Sequence, residues 1–175
     1  MNIKEYEAKI SRIEKDSLKA FEQNNPNEAR QAAEAIAKLI LMSCTDQSKA
    51  EQAINKDLNA MKILIDQEKL ASNDGNNRKK VYQYFSVLQT FGNIASHSNP
   101  DLETKEIEFP LLALSNFLKW LYSDYLGGKT IPKELHEAMI GYEKATNLEQ
   151  TPHRNIQQGD KSVYIEKNEG NITIS

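Results

Sequence analysis

The sequence predicts an all-α protein, an up-and-down bundle of about five to six helices with a short C-terminal β-hairpin or β arm. Three observations carry that expectation. Apolar residues recur every three or four positions through most of the chain, as one face of a helix requires. The periodic stretches are separated by clusters of Asn, Pro, Gly, Asp and Ser, which punctuate helices. After Asn147 the period changes to two.

The first helix is expected over 3–23, with Ile3, Tyr6, Ile10, Ile13 and Ala20/Phe21 on its inner face. Asn24-Asn25-Pro26-Asn27 ends it, because proline disfavours helical geometry in the residue before it. Asn25 or Asn27 then caps a second helix, 27–44, rich in alanine: Ala29, Ala32, Ala33, Ile36, Leu39, Ile40. A third helix is expected over 47–70, with Ala50, Ala53/Ile54, Leu58, Met61 and Leu64/Ile65 as its stripe. Ser72 to Asn77 reads as a loop of turn formers.

The fourth helix, 78–97, turns Val81, Tyr84/Phe85, Leu88, Phe91 and Ala95 inward. Gly92 sits inside this pattern, where it costs ~1 kcal/mol relative to alanine and so points to close packing or a bend. Residues 101–109 read as irregular and acidic. A fifth helix begins near Phe109-Pro110, with proline in its first turn. Leu114, Phe117/Leu118, Leu121 and Tyr125 make it the most apolar helix, expected at the centre of the bundle. Gly127-Gly128 closes it in the left-handed conformation. A sixth helix, 132–146, carries Leu135, Met139 and Tyr142. The organisation expected is a helical domain at 1–147, a polar linker at 148–160 and a β-hairpin tail at 161–175.

A formal net charge of −3 excludes a generally basic nucleic-acid binder and leaves room for a local basic patch. The single cysteine, Cys44, excludes an intrachain disulfide framework and fits a reducing, cytoplasmic setting. No apolar run approaches the ~20 residues that span a bilayer, so no membrane partner is expected. His97, His136 and His153 lie in separate segments, and no metal or cofactor motif is found. Cys44, on an apolar helix face, reads as a buried structural thiol. Arg78-Lys79-Lys80 with Tyr82 and Tyr84 combines charge with stacking rings, a set that suits RNA or nucleotide binding.

The segment Leu88-Gln89-Thr90-Phe91-Gly92-Asn93-Ile94-Ala95-Ser96-His97 resembles the LR-x-x-GN-x-A-x-H helix end of small helical domains in bacterial defence and restriction proteins. Those domains are related to the HEPN superfamily (higher eukaryotes and prokaryotes nucleotide-binding). Ala29-Arg30-Gln31-Ala32-Ala33-Glu34 resembles the AR-x-x-x-E of that family's early helix, and the likeness spans about residues 25–126. It implies a helical bundle, often dimeric. Catalytic members are metal-independent ribonucleases whose motif is an arginine, then four to six residues, then a histidine, at a dimer interface, a spacing that keeps the pair near one helix face. The histidine moves the 2′-hydroxyl proton and the arginine stabilises charge on the phosphate. Here no arginine stands in that interval, and Gln89 occupies the arginine position of the related helix end. If the chain is an enzyme, the resemblance points to His97 with Arg30, Glu34 and Asn93. The tail, Gln158 to Ile174, resembles a GDKS…GNITI segment beside effector modules of bacterial conflict NTPases.

The expectation is therefore a non-enzymatic helical interaction and oligomerisation module of bacterial defence or stress signalling. It would associate with itself as a homodimer or larger assembly and contact a protein partner through 161–175. The alternatives are a HEPN-type ribonuclease with a degenerate motif, or a non-catalytic binder of RNA or nucleotide.

Overall fold

A computed structural model of the chain describes residues 3–97 and 102–149. These residues form seven α-helices and one π turn: α1 Ile3–Glu22, α2 Pro26–Leu41, α3 Gln47–Lys56, α4 Leu58–Gln67, α5 Gly75–His97, α6 Thr104–Trp120, the π turn Leu121–Tyr125, and α7 Lys133–Glu149. The described part is all-helical, as its periodicity requires. The expected β tail at 161–175 lies outside the described residues, as does nearly all of the 148–160 linker. Leu148 and Glu149 continue α7, so the helical part runs slightly past the expected boundary at Asn147.

α1 and α2 form an antiparallel hairpin around Asn24, which takes a positive φ of 48°. The Asn25 side chain then accepts from the backbone N–H groups of Asn27 (2.9 Å) and Glu28 (3.4 Å) and caps α2, with Pro26 at its first position. Lys19 of α1 is ion-paired to the largely buried Glu28 of α2.

The centre of the bundle is α2, not the helix that contains Pro110. Eleven of the sixteen α2 residues are buried, and α2 packs on α1, α4, α5 and α6. Its alanines explain this. Ala29, Ala32, Ala33 and Ala37 are fully buried, and side chains this short let several neighbouring axes come close at once. α6 is more apolar on average, but its outer residues Phe109 and Asn116 are exposed.

The single helix expected at 47–70 is two helices. Asp57 has extended backbone (φ −174°, ψ 174°) and serves both: its N–H donates to Ala53 O (3.3 Å), and its carboxylate accepts from Ala60 N–H (2.7 Å). The apolar spacing from Ala53/Ile54 to Leu58 and Met61 runs on without a glycine or proline, so periodicity alone misses the break. Lys49 reaches Glu68 (3.7 Å) across the resulting hairpin.

The stretch 101–109 is also more regular than expected. α6 starts at Thr104 behind a capping box in which Glu106 accepts from the Glu103 N–H (2.9 Å). Pro110 therefore lies inside the helix rather than at its start, buried against the core. At the other end the helix widens into the π turn, with Leu126 N–H donating to Leu121 O (2.8 Å). Gly127 and Gly128 then turn the chain at φ +67° and +81°, as glycine permits.

The core is centred on Phe85 of α5 and Phe117 of α6, both fully buried and edge-on at 4.8 Å. Burying each is worth about 1.5–3 kcal/mol. α7 closes the bundle: Tyr142 lies against Phe21 (5.9 Å), and Glu143 accepts from both Ser115 and Lys119 of α6. Burial pushes the Glu143 carboxyl up. The hydrogen bonds from Lys119 and Ser115 outweigh it, so the carboxyl ends below the usual carboxylate range.

Gly92 holds α5 against α2. A Cβ at this position would lie under 3.0 Å from Arg30 Cβ, Cγ and Cδ, the first of which is fixed to the α2 backbone. Gly92→Ala is expected to lower stability by about 1–3 kcal/mol in urea unfolding. Arg30→Gly should relieve more of that loss in the double variant than Arg30→Ala, because alanine removes the obstructing Cγ and Cδ and keeps the nearest atom, the Cβ. Glu143 gives a second expectation. Its folded pKa is depressed, so its contribution is complete above the unfolded value near 4.5 and disappears as pH falls through the folded one. Glu143→Gln should flatten the stability profile in that acid window, as followed by circular dichroism.

Candidate functional site

At about 100° per residue, α5 divides into an inner row and two flanks. Val81, Phe85, Leu88 and Gly92 form the buried row. On one side Tyr82, Ser86, Gln89, Asn93 and His97 follow at intervals of three or four and make a polar stripe. On the other side Tyr84, Val87, Phe91 and Ile94 make a half-buried apolar flank beside α6.

The polar stripe contains a cationic centre that sequence reasoning overlooked. Lys62 of α4 is only 7% exposed. Its ammonium donates to Ser86 Oγ (3.2 Å) and Gln89 Oε1 (3.3 Å) and lies over the Tyr82 ring, 4.8 Å from its centroid. Ser86 Oγ donates in turn to Tyr82 O (2.9 Å). Burial lowers the Lys62 pKa, and the Asp57 carboxylate offsets part of the effect. A signal was present: Lys62 falls one turn after Leu58 and one turn before Ile65, on the inward row of α4. Gln89, which stands where the related helix end has arginine, is thus the acceptor for a lysine from another helix.

The residues singled out for catalysis separate into two groups. Arg30 and Glu34 pair within α2, Nη1 to Oε1 at 2.8 Å, and Arg30 Nη2 lies 3.5 Å from Asn27 Oδ1. The Arg30 stem lies across Gly92. Asn93 and His97 are exposed on the polar stripe, and the Asn93 carbonyl accepts from Ser96 Oγ (2.9 Å). Gly92 and His97 are five residues apart, which places them about 140° apart around α5. The part of α5 that Arg30 covers is therefore not the part that carries His97.

The residues singled out for nucleic-acid binding also diverge. Arg78 Nε lies 3.0 Å from Asp66 of α4, an ion pair that closes α4 on α5. Lys79 and Lys80 are exposed. Tyr82 covers Lys62, whereas Tyr84, about 160° away around the helix, lies against Phe117 at 5.4 Å. The two rings do not form one stacking platform.

Cys44 is buried, with its thiol 3.4 Å from Asp46 O. Among the described residues no three His, Cys, Asp or Glu side chains converge in a way that would hold a metal ion. Among the described residues, too, no helix is long and apolar enough to cross a membrane.

The Lys62 centre predicts a pH dependence. Its folded pKa is below the unfolded value of 10.5, so between the two the unfolded chain holds more protons and stability rises with pH. Lys62→Met should remove that rise, read as the difference in urea midpoint between variant and wild type from neutral pH to about 10.5. Parallel profiles would show that Lys62 is not desolvated in solution. Comparison of the chain with protein-family models, with curated proteins and with solved structures gives no match in any of the three.

Proposed function

We propose that the chain is a non-enzymatic helical module that associates with itself through the α5–α6 face. Phe109 carries this reading. It is 49% exposed in the second turn of α6, and its ring meets the edge of Phe91, with centroids 6.0 Å apart. Val87 and Ile94 of α5 and Leu112 of α6 are half-buried around that pair. A contiguous apolar patch of this kind, lined by two helices, suits a protein contact better than solvent. The engagement of Arg30 with Glu34, on a part of the bundle turned away from His97, supports a role other than catalysis. The setting in bacterial defence or stress signalling, and a partner for the tail at 161–175, rest on the resemblance of the helix end and of the tail.

A metal-independent ribonuclease is the second reading. The observation in its favour is that His97 and Asn93 are exposed on one flank, open to an arginine of another subunit.

Light scattering of the full chain should give a mass above that of one chain. Phe109→Ser should reduce it toward the monomer with the helical circular dichroism retained. A wild type that is monomeric at all concentrations would rule out self-association. Incubation with labelled RNA in chelator should show no cleavage that depends on His97. Cleavage present in wild type and lost in His97→Ala would put the ribonuclease reading in its place.

A further inference from the structure

The face between α1 and α2 has a feature that neither self-association nor the polar stripe uses. A concavity of about 230 Å³ opens there, lined by Glu5, Ala8, Lys9, Arg12, Ala35 and Lys38. The lining holds two alanines, the exposed Ala8 of α1 and the buried Ala35 of α2, together with three cations. We propose that this groove binds a phosphomonoester carrying a small apolar body.

The argument is one of size and charge. Pockets for drug-sized ligands occupy about 300–1,000 Å³, so this one takes a smaller molecule, of the order of a single ring with one phosphate. Ala8 and Ala35 bring one short apolar side chain from each helix to the lining, and these leave room for a ring between the charged groups. Arg12 meets Asp16 through Nε, at 3.4 Å, a long contact that leaves the forked guanidinium able to grip phosphate oxygens in pairs. Lys9 meets Glu5 at 3.7 Å, an exposed pair of the kind that contributes little to stability and yields readily to a dianion. Lys38 completes the ring of cations from α2. Two antiparallel helices fix the backbone positions of these residues, so only the side chains have to be ordered when the ligand binds.

This site is lined by α1 and α2 and shares no lining residue with the α5–α6 patch, and it stands or fails separately from self-association. Calorimetric titration of the full chain with phenyl phosphate tests it. Phenyl phosphate should bind, phenol should not, and inorganic phosphate should bind more weakly. Arg12→Gln, at an exposed position, and Lys38→Gln, at a half-buried one, should each weaken phenyl phosphate about tenfold or more with the helical circular dichroism retained, as expected for a lost charge-assisted hydrogen bond. A short 5′-phosphorylated RNA that displaces phenyl phosphate would assign the phosphate to a nucleic-acid end. Failure to displace it would assign a free small ligand, and either result supports the site. Absence of phenyl phosphate binding, binding unchanged in both variants, or equal affinity for inorganic phosphate would overturn the proposal.

Discussion

The contact between Arg30 and Gly92 sets the geometry on which the other helices depend. α5 can approach α2 this closely only because position 92 lacks a Cβ, and the aliphatic stem of Arg30 fills the space. A glycine inside a helix costs about 1 kcal/mol, and the packing it allows offsets that cost. Once α5 is seated, Phe85 meets Phe117 and α6 has a place to lie, while Ser86 and Gln89 come within reach of α4. The contact also decides what Arg30 does. Its stem is used in packing and its guanidinium in the Glu34 pair, so it braces two helices.

Two polar devices fix the register of the remaining helices. Lys62 ties α4 to α5 through neutral acceptors and an aromatic face. Glu143 ties α7 to α6 through a hydroxyl and an ammonium. Their electrostatics run in opposite directions. Burial with neutral partners disfavours the Lys62 charge, whereas an opposite charge and a donor favour the Glu143 charge despite burial. Both are partly buried polar groups whose partners must lie in one place, which makes them more selective about helix position than apolar contacts of the same size.

The same arrangement leaves α5 with two unlike flanks. The side toward α6 is apolar and incompletely covered, with Phe109 at its edge. The side toward α4 is polar and is organised around Lys62, with His97 exposed at its end. A surface divided in this way suits a module that buries one flank against a partner and keeps the other in water.

The sequence by itself determined the all-helical character of the described residues, a cap at Asn25 or Asn27 that the structure assigns to Asn25, the glycine turn at 127–128 and the importance of Gly92, because spacing, capping chemistry and backbone freedom are local properties. Arg30 and Glu34 stand four apart in the sequence, a spacing that brings side chains together on a helix. The division at Asp57 escaped the sequence because an unbroken apolar period looks the same whether one helix or two carry it. So did the helical start at Thr104, where acidic residues read as a loop were a capping box. Only the tertiary structure decided that α2 lies at the centre, that Lys62 from another helix supplies the cation beside Gln89, and that Arg30 and His97 belong to different parts of the α5 surface. Those facts depend on which helices meet and at what rotation, and no residue's own neighbours in the chain encode that.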